Sequence, residues 1–534
     1  MLLLEGVPLA SAATHAPTVR GRLTSPGTVV GSRTATSWLV NRAPELILIA
    51  LSGTFFAVFG FLTWRQQSNF ATWGFDLGIH DQAIWLAAHG HRMFDTVRGL
   101  DYFGQNVNLI SLLFVPLYWL GAGPHLLDLI HTAALSAGGV PLWLLTRDRT
   151  GSRWVALAPA VAYFLYPSLS FMVWWEYHPD TLAILPLLFA WWFASRQRWG
   201  WFAASACLAL SCKEDVALAL VGMAAALILW RGASPRVSPV VPRWAGRRWL
   251  GRVDVQDAVA AAVGVGAVIW FEIATRVIIP ANNAGRPPFY ESFFWSFGTT
   301  PTQVVWNLFR HPSRIARLAT TATRKKYFLQ MLGPVGLLFV LALPVFLIGL
   351  PQLLVNVMDQ GEGLSIDSQY GALVLVGVFL ATAEALGYVA RRRRRWLGAA
   401  AAWLLATSLA SAVGWGITPL GNAFGSFWAS SPPYARQLHR ALALVPPTAG
   451  VSVSYDLTAQ VSHRVDVFEF PNPWVNVNWL SSAVPERPAD VSWLVIDAPH
   501  DTDPPLLARL TAPGGPFQVV YDDGGVVAAR RRHG

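Results

Sequence analysis

The sequence predicts an all-α polytopic membrane protein of about eleven transmembrane helices followed by a small C-terminal α/β domain. Three observations carry that prediction. Of 534 residues, 54% are hydrophobic and 13% charged, whereas soluble domains carry about 25% charged residues. Apolar stretches long enough, or nearly long enough, to cross a bilayer recur from residue 46 to residue 415, and the mean hydropathy is +0.40. After about residue 420 these stretches give way to short β-type runs.

Taken in order, residues 1–42 read as a disordered cytoplasmic arm with Arg20, Arg22, Arg33 and Arg42. The first twenty residues lack a basic start and Glu5 interrupts their apolar part, so they do not read as a cleaved signal. Spans are expected at approximately 46–63, 125–145, 154–173, 181–195, 199–212, 216–230, 256–278, 327–342, 344–357, 370–390 and 397–415. With the N-terminus inside, alternation places Arg147 to Arg153, Arg196 to Arg198, Arg231 to Arg252 and Arg391 to Arg395 on the inner face. The loops 64–124, 174–180, 213–215 and 279–326 then face outside, as does the C-terminal region. This reading treats 107–122 as a re-entrant or interface-lying helix, because a full crossing there would invert the charge pattern. It also breaks 327–357 near Pro344.

The net charge of +10 admits a rival reading of the arginine runs as nucleic-acid contacts. Each run abuts a hydrophobic span, so the positive-inside rule accounts for it and no nucleic-acid partner is expected. The transmembrane domain therefore covers 43–420 with a large first outer loop, 64–124, and residues 421–534 form a small extracytoplasmic α/β domain. Its strands are expected around Val451–Ser454, Val465–Phe468, Trp493–Ile496 and Phe517–Tyr521, with a hairpin at Asp523-Gly524. Short helices are expected at Leu457–Ser462 and Pro505–Leu510. Cys207 and Cys212 are five apart on one apolar stretch and read as small buried residues rather than a disulfide.

Ionisable groups at a membrane boundary are costly unless solvated, paired or used, and three acidic motifs stand at span ends. Phe75-Asp76-Leu77-Gly78-Ile79-His80-Asp81-Gln82 puts Asp76 and His80 on one helical face. Asp76 suits a general base acting on a hydroxyl; the plainer reading is a helix N-cap. Asp81 is open between base, metal ligand and structural partner. In Glu176-Tyr177-His178-Pro179-Asp180, Glu176 and His178 suit a polar head group or a divalent cation, while Pro179 and Asp180 suit the start of the next helix. In Lys213-Glu214-Asp215, Lys213 suits a lipid phosphate, against a self-satisfied turn. Arg324, Lys325 and Lys326 form an outer cationic cluster that breaks the positive-inside rule, which a phosphate arriving in the outer leaflet would explain. No phosphate-cradling glycine loop follows a strand, which argues against a nucleotide-driven pump. No matched pair of Gly/Pro-broken spans favours an ion-coupled transporter.

Phe75 to Trp85, Phe114-Val115-Pro116-Leu117-Tyr118, Glu176 to Asp180, Lys213 to Leu218 and Leu350-Pro351-Gln352-Leu353-Leu354-Val355-Asn356 together resemble a family of bacterial polytopic membrane proteins of unknown function, DUF2079. That family in turn looks like the GT-C superfamily of membrane glycosyltransferases. The resemblance implies a bacterial plasma-membrane enzyme that moves a sugar from a polyprenyl-phosphate carrier to an envelope glycan, lipoglycan or protein, with inversion, on the extracytoplasmic face. It implies Asp76 as the essential first-loop acid. Asp81, Glu176, His178, Lys213, Glu214, Arg324, Lys325, Gln369 and Tyr370 become the expected substrate-binding set. A divalent cation (Mg, Mn or Ca), if used, is expected at Asp81 or Glu176. Gln105-Asn106 and Gln369-Tyr370 stand where the family pattern has histidines. The alternative is a non-catalytic membrane protein, either a transporter of lipid-linked sugar or an envelope-assembly scaffold.

Overall fold

The computed structural model describes residues 33–230, 254–294, 296–298, 301–359, 362–428, 433–477 and 487–532. The expected arm up to residue 32 and the arginine-rich segment 231–252 lie outside them. The chain divides into a short unit, residues 1–43, whose described part is helical, and a second unit, residues 44–534.

Among the described residues, five helices are long and apolar enough to cross a membrane: Asn41–Ser68, Pro124–Thr150, Val255–Asn282, Gln369–Arg392 and Arg394–Trp415. Two bent pairs, Leu157–Phe164 with Pro167–Trp174 and Ala322–Val335 with Leu338–Phe346, raise the number to seven if each is one span. Pro179–Ser195, Trp199–Leu210 and Val216–Leu229 are shorter apolar helices on three of the expected spans. Leu109–Tyr118 is shorter still, about half of what a crossing needs.

The break inside 327–357 falls at Gly336 and Leu337 rather than near Pro344, with a bend of 76°. Both residues are left-handed, with φ of 59° and 57°, a conformation that ends an α-helix. The carbonyls freed there are satisfied from the neighbouring helix, as apolar surroundings require. The Trp403 indole N–H donates to Gly336 O at 3.0 Å, and the Ser408 and Thr407 hydroxyls donate to Pro334 O at 2.8 and 3.1 Å.

Charge is sorted to opposite ends of the helices. Near the start of Pro124–Thr150, Asp128 accepts from the Tyr177 backbone N–H at 3.0 Å. Near its other end Arg149 pairs with Glu384. Along Gln369–Arg392, Tyr370 stands at one end and Arg391 at the other. Each separation is roughly 30 Å at about 1.5 Å per residue, the thickness of a hydrocarbon core. The arginine turns expected on one face also converge: Arg147 and Arg196 both bind Asp148, while Arg149 binds Glu384.

The C-terminal region folds as a five-stranded mixed sheet. After a two-residue hairpin in residues 64–124 (β1, Phe94–Asp95; β2, Leu100–Asp101), the strands are β3 (Val451–Val453), β4 (Val467–Glu469), β5 (Trp493–Asp497), β6 (Phe517–Asp523) and β7 (Val526–Arg531), in the order β4-β3-β5-β7-β6. β3 runs parallel to β4 and β5, and β7 is antiparallel to β5 and β6. Alternation along the strands divides the side chains between two faces. Val451, Val453 and Val495 pack with Phe70, Ile79 and Val97 of residues 64–124. Leu494, Ile496 and Phe517 pack with Leu506 and Leu510 of the helix Pro504–Thr511. The sheet is therefore seated directly on the segment that carries Asp76.

Candidate active site

Asp76 sits in a π-helical turn, Gly74–Gly78, that leads into the helix Ile79–Ala88. Such turns widen the backbone and recur at functional sites. Gly74 and Gly78 are required by close approach: a Cβ on Gly74 would stand 2.9 Å from Thr458 Cβ, and one on Gly78 would stand 3.3 Å from Thr458 Cγ2. Thr458 belongs to the 3-10 helix Tyr455–Gln460 of the C-terminal region. Asp76 does not cap: the helix Ile79–Ala88 has Gly78 at its N-cap position, with no side-chain cap. Its partner is not His80 either. His178 Nε2 lies 3.1 Å from Asp76 Oδ1, while His80 Nδ1 faces the Tyr102 hydroxyl at 2.6 Å.

Glu176 holds the turn from behind. It takes a left-handed backbone, φ 70°, rare for a residue with a Cβ. Both of its carboxylate oxygens accept from the Trp73 backbone N–H, at 3.1 and 3.2 Å. The Glu176-to-Asp180 motif thus fixes Asp76 twice, through the backbone just before its turn and through its carboxylate.

Asp76, His80 and His178 open on a cavity of about 1000 Å³, which Glu176, expected among the substrate-binding residues, does not line. Its lining combines polar side chains, among them Asp76, His80, Asp95, Arg98, His178, Asp180, Lys213, Asp215, Gln369, Tyr370 and Tyr455, with apolar ones, among them Leu218, Val221, Phe271, Phe294, Leu308, Leu347 and Leu354. Lys213 Nζ lies 3.4 Å from Asp180 Oδ2 and 3.3 Å from Asp215 Oδ2, and 5.7 Å from the Tyr370 ring centroid. Burial would lower its pKa, but Asp215, Asp180, Tyr370 and Glu214 together raise it well above the ordinary lysine value, so the ammonium stays charged. Burial also pushes the Asp95 carboxyl up to about 7, against the opposing pull of Arg98.

Other expected site residues lie elsewhere. Asp81 is fully buried and receives the Tyr118 and Ser462 hydroxyls, each at 2.5 Å, with His463 Nε2 at 3.0 Å. It joins the first loop to the C-terminal region and does not line the cavity. Glu214 is also fully buried and accepts from the Val107 N–H at 2.8 Å and the Tyr290 hydroxyl at 3.0 Å. Arg324 lines a neighbouring pocket of about 250 Å³ with Arg314 and Arg317; Met358 borders both spaces. Lys325 and Lys326 are exposed and line neither. Sequence reasoning missed Arg98, Tyr455, Arg314 and Arg317. For Arg98 a signal existed: an arginine in an expected outer loop breaks the same charge rule that singled out Arg324.

The Asp76–His178 pair gives a pH signature. Burial would lower the His178 pKa, but the Asp76 hydrogen bond and charge, with Asp180, raise it above the usual histidine value. The pair's contribution to stability is therefore full below about 6.5, the unfolded imidazole value, and is lost as pH rises through the raised folded value. Thermal unfolding followed across neutral pH is expected to show this loss in the wild type and a flatter profile in His178→Asn. Equal slopes in both proteins would show that the pair is not titrating.

Long apolar helices, a cavity of mixed lining and a small mixed sheet packed on the segment that carries Asp76 define a polytopic membrane protein with an internal ligand-sized site. The chain belongs to the family described as Predicted membrane protein (DUF2079), whose profile matches residues 67–526. Its fold is similar to that of ArnT from Cupriavidus metallidurans bound to undecaprenyl phosphate, with TM-score 0.50 and 13% identity, over 93% of this chain and 98% of that one. The apo state of the same protein matches with TM-score 0.47 and 13% identity, over 93% and 98% of the two chains. No curated protein sequence matches the chain.

Proposed function

We propose that the protein is a membrane glycosyltransferase that moves a sugar from a polyprenyl-phosphate carrier to an envelope acceptor on the extracytoplasmic face. The observation that carries this reading is one cavity lined by a carboxylate, Asp76, a charged lysine, Lys213, and many apolar side chains. A prenyl chain suits the apolar lining and a phosphate suits the lysine. The ArnT neighbour, which binds undecaprenyl phosphate, has the same general fold. The sorting of arginines to the opposite helix ends supports an outward-facing cavity.

In the reaction, Asp76 takes the proton of an acceptor hydroxyl, whose oxygen bonds to the anomeric carbon from the face opposite the phosphate. The bond between that carbon and the phosphate oxygen breaks, and polyprenyl phosphate leaves with the electron pair. The anomeric configuration inverts. Lys213 stabilises the charge gathering on the departing phosphate. His178 holds the Asp76 carboxylate, and the pocket of Arg314, Arg317 and Arg324 is a further phosphate contact beside the main cavity. Asp81 and Glu176 already accept from protein groups, and no step of the reaction passes through a divalent cation at either.

The test uses full-length protein in lipid nanodiscs with a panel of polyprenyl-phosphate sugars and envelope extracts. Transfer of label to an acceptor is expected. Lys213→Met is expected to lower kcat/KM for the lipid donor by roughly tenfold to a hundredfold, since a charge-assisted contact is worth about 1.5–3 kcal/mol. Translocation of lipid-linked sugar without transfer would favour the transporter reading instead.

A further inference from the structure

Far from the carboxylates of the main cavity in sequence, the sheet brings a second acidic group together at the carboxyl ends of two parallel strands, the edge where α/β sheets place ligands. Asp497 ends β5, and the next turn, Ala498–His500, carries His500. Asp456 lies two residues beyond Ser454, which follows β3. The Asp497 backbone N–H donates to Ser454 Oγ at 2.8 Å and ties the two strand ends together.

His500 Nδ1 stands 3.0 Å from Asp497 Oδ2 and 3.5 Å from Asp456 Oδ2. Ligand atoms held at about 2.1 Å from one ion, at angles between roughly 90° and 110°, are separated by about 3.0–3.5 Å. The Asp497 side chain is wholly buried and that of Asp456 is 10% exposed. In each, Oδ1 is buried and has no hydrogen-bond partner. Among the described residues neither carboxylate is paired with a lysine or arginine; the two carboxyl groups lie within hydrogen-bond reach of each other, His500 is their shared basic neighbour, and the Tyr434 hydroxyl also reaches Asp497. Two buried carboxylates meeting around one imidazole, with an orphaned oxygen each, are costly as they stand. A cation between them would satisfy both. It is also the one grouping of three such ligands among the described residues.

We infer that Asp456, Asp497 and His500 form a site for a divalent transition cation, of the Zn²⁺ or Mn²⁺ class that suits two carboxylates and an imidazole. Exposure of His500, 51% at the side chain, leaves an entry path and room for water to complete the coordination. Its role is structural. The ion fixes the 3-10 helix Tyr455–Gln460, whose Tyr455 lines the main cavity and stacks edge-on to Phe75 at 5.5 Å, beside the turn that carries Asp76.

The experiment reads metal rather than transfer, so its outcome is independent of the proposed reaction. Full-length protein in detergent is stripped with chelator, then titrated with Zn²⁺ or Mn²⁺ alone, with Ca²⁺ as comparator. Binding of about one ion per chain, with a raised unfolding temperature, is expected. His500→Ala, at an exposed position, and Asp497→Asn are each expected to weaken that binding by at least roughly tenfold. A wild-type protein that takes up no stoichiometric transition metal, or His500→Ala protein that binds as well as wild type, overturns the site.

Discussion

Asp76→Asn is expected to abolish sugar transfer while leaving lipid-donor binding close to normal. The substitution keeps the shape of the side chain but removes the proton acceptor, and positioned acid–base catalysis contributes about 10²- to 10⁴-fold. The loss should appear in kcat, because on the proposed reading the lipid phosphate meets Lys213 and the prenyl chain the apolar lining, neither of which changes. That division separates the two residues: Lys213→Met should raise KM and also slow turnover, because the lysine meets both the bound phosphate and the charge that grows on it, whereas Asp76→Asn should act through turnover alone. The π-turn that presents Asp76 is held by backbone bonds to Glu176 and by packing on Thr458, so the protein should fold and reach the membrane. His178→Asn should be milder, since it loosens the carboxylate without removing it. Labelled-sugar transfer by purified protein measures these differences, and the envelope glycan profile of cells carrying Asp76→Asn checks them in place. An Asp76→Asn protein that is present and turns over at the wild-type rate ends the proposed role.

The same residues show what could be read from the chain and what could not. Apolar runs and arginine placement are local properties, so apolar helices stand on the expected stretches, but among the described residues five to seven are long enough to cross rather than about eleven. The strands of the C-terminal region and its Asp523-Gly524 hairpin were equally legible, since alternation and turn chemistry act over a few residues. The broken helix is misplaced because Pro344 is the visible breaker, whereas the bend rests on two left-handed residues, Gly336 and Leu337, beside which the Gly336 and Pro334 carbonyls are satisfied from a helix some seventy residues away. Asp76 was identifiable as an unusual acid, but its partner was not. A spacing of four pointed to His80, and the chain instead closes the pair with His178. The sequence leaves Asp81 open between three roles because two of its partners, Ser462 and His463, come from the far end of the chain. No periodicity encodes such a contact; it exists only once the sheet has packed on the first loop.

The second large effect is on stability and lies at the opposite end of the helices. Glu384 is fully buried in Gln369–Arg392, a helix with 94% of its hydrophobic window enclosed by the rest of the protein. Its Oε1 accepts from Arg149 Nε and from the Trp191 indole N–H, at 2.9 and 3.0 Å, and its Oε2 accepts from the Trp230 indole N–H at 3.2 Å. One carboxylate thereby ties together the ends of Pro124–Thr150, Pro179–Ser195 and Val216–Leu229. Arg149 is itself 7% exposed, so Glu384→Ala would leave a guanidinium enclosed without its carboxylate and two indole donors without an acceptor. Breaking one side of a buried pair costs about 3–5 kcal/mol. Glu384→Gln is expected to cost less, because its carbonyl still accepts one of the donors, but it does not neutralise Arg149. Adding Arg149→Met to Glu384→Ala removes the stranded charge and should recover part of the loss, since an apolar pair of similar volume is often tolerated. Thermal unfolding in detergent should therefore rank wild type above Glu384→Gln, then the double variant above Glu384→Ala. If Glu384→Ala alone unfolds at the wild-type temperature, the carboxylate is not what holds the arginine end of the bundle together.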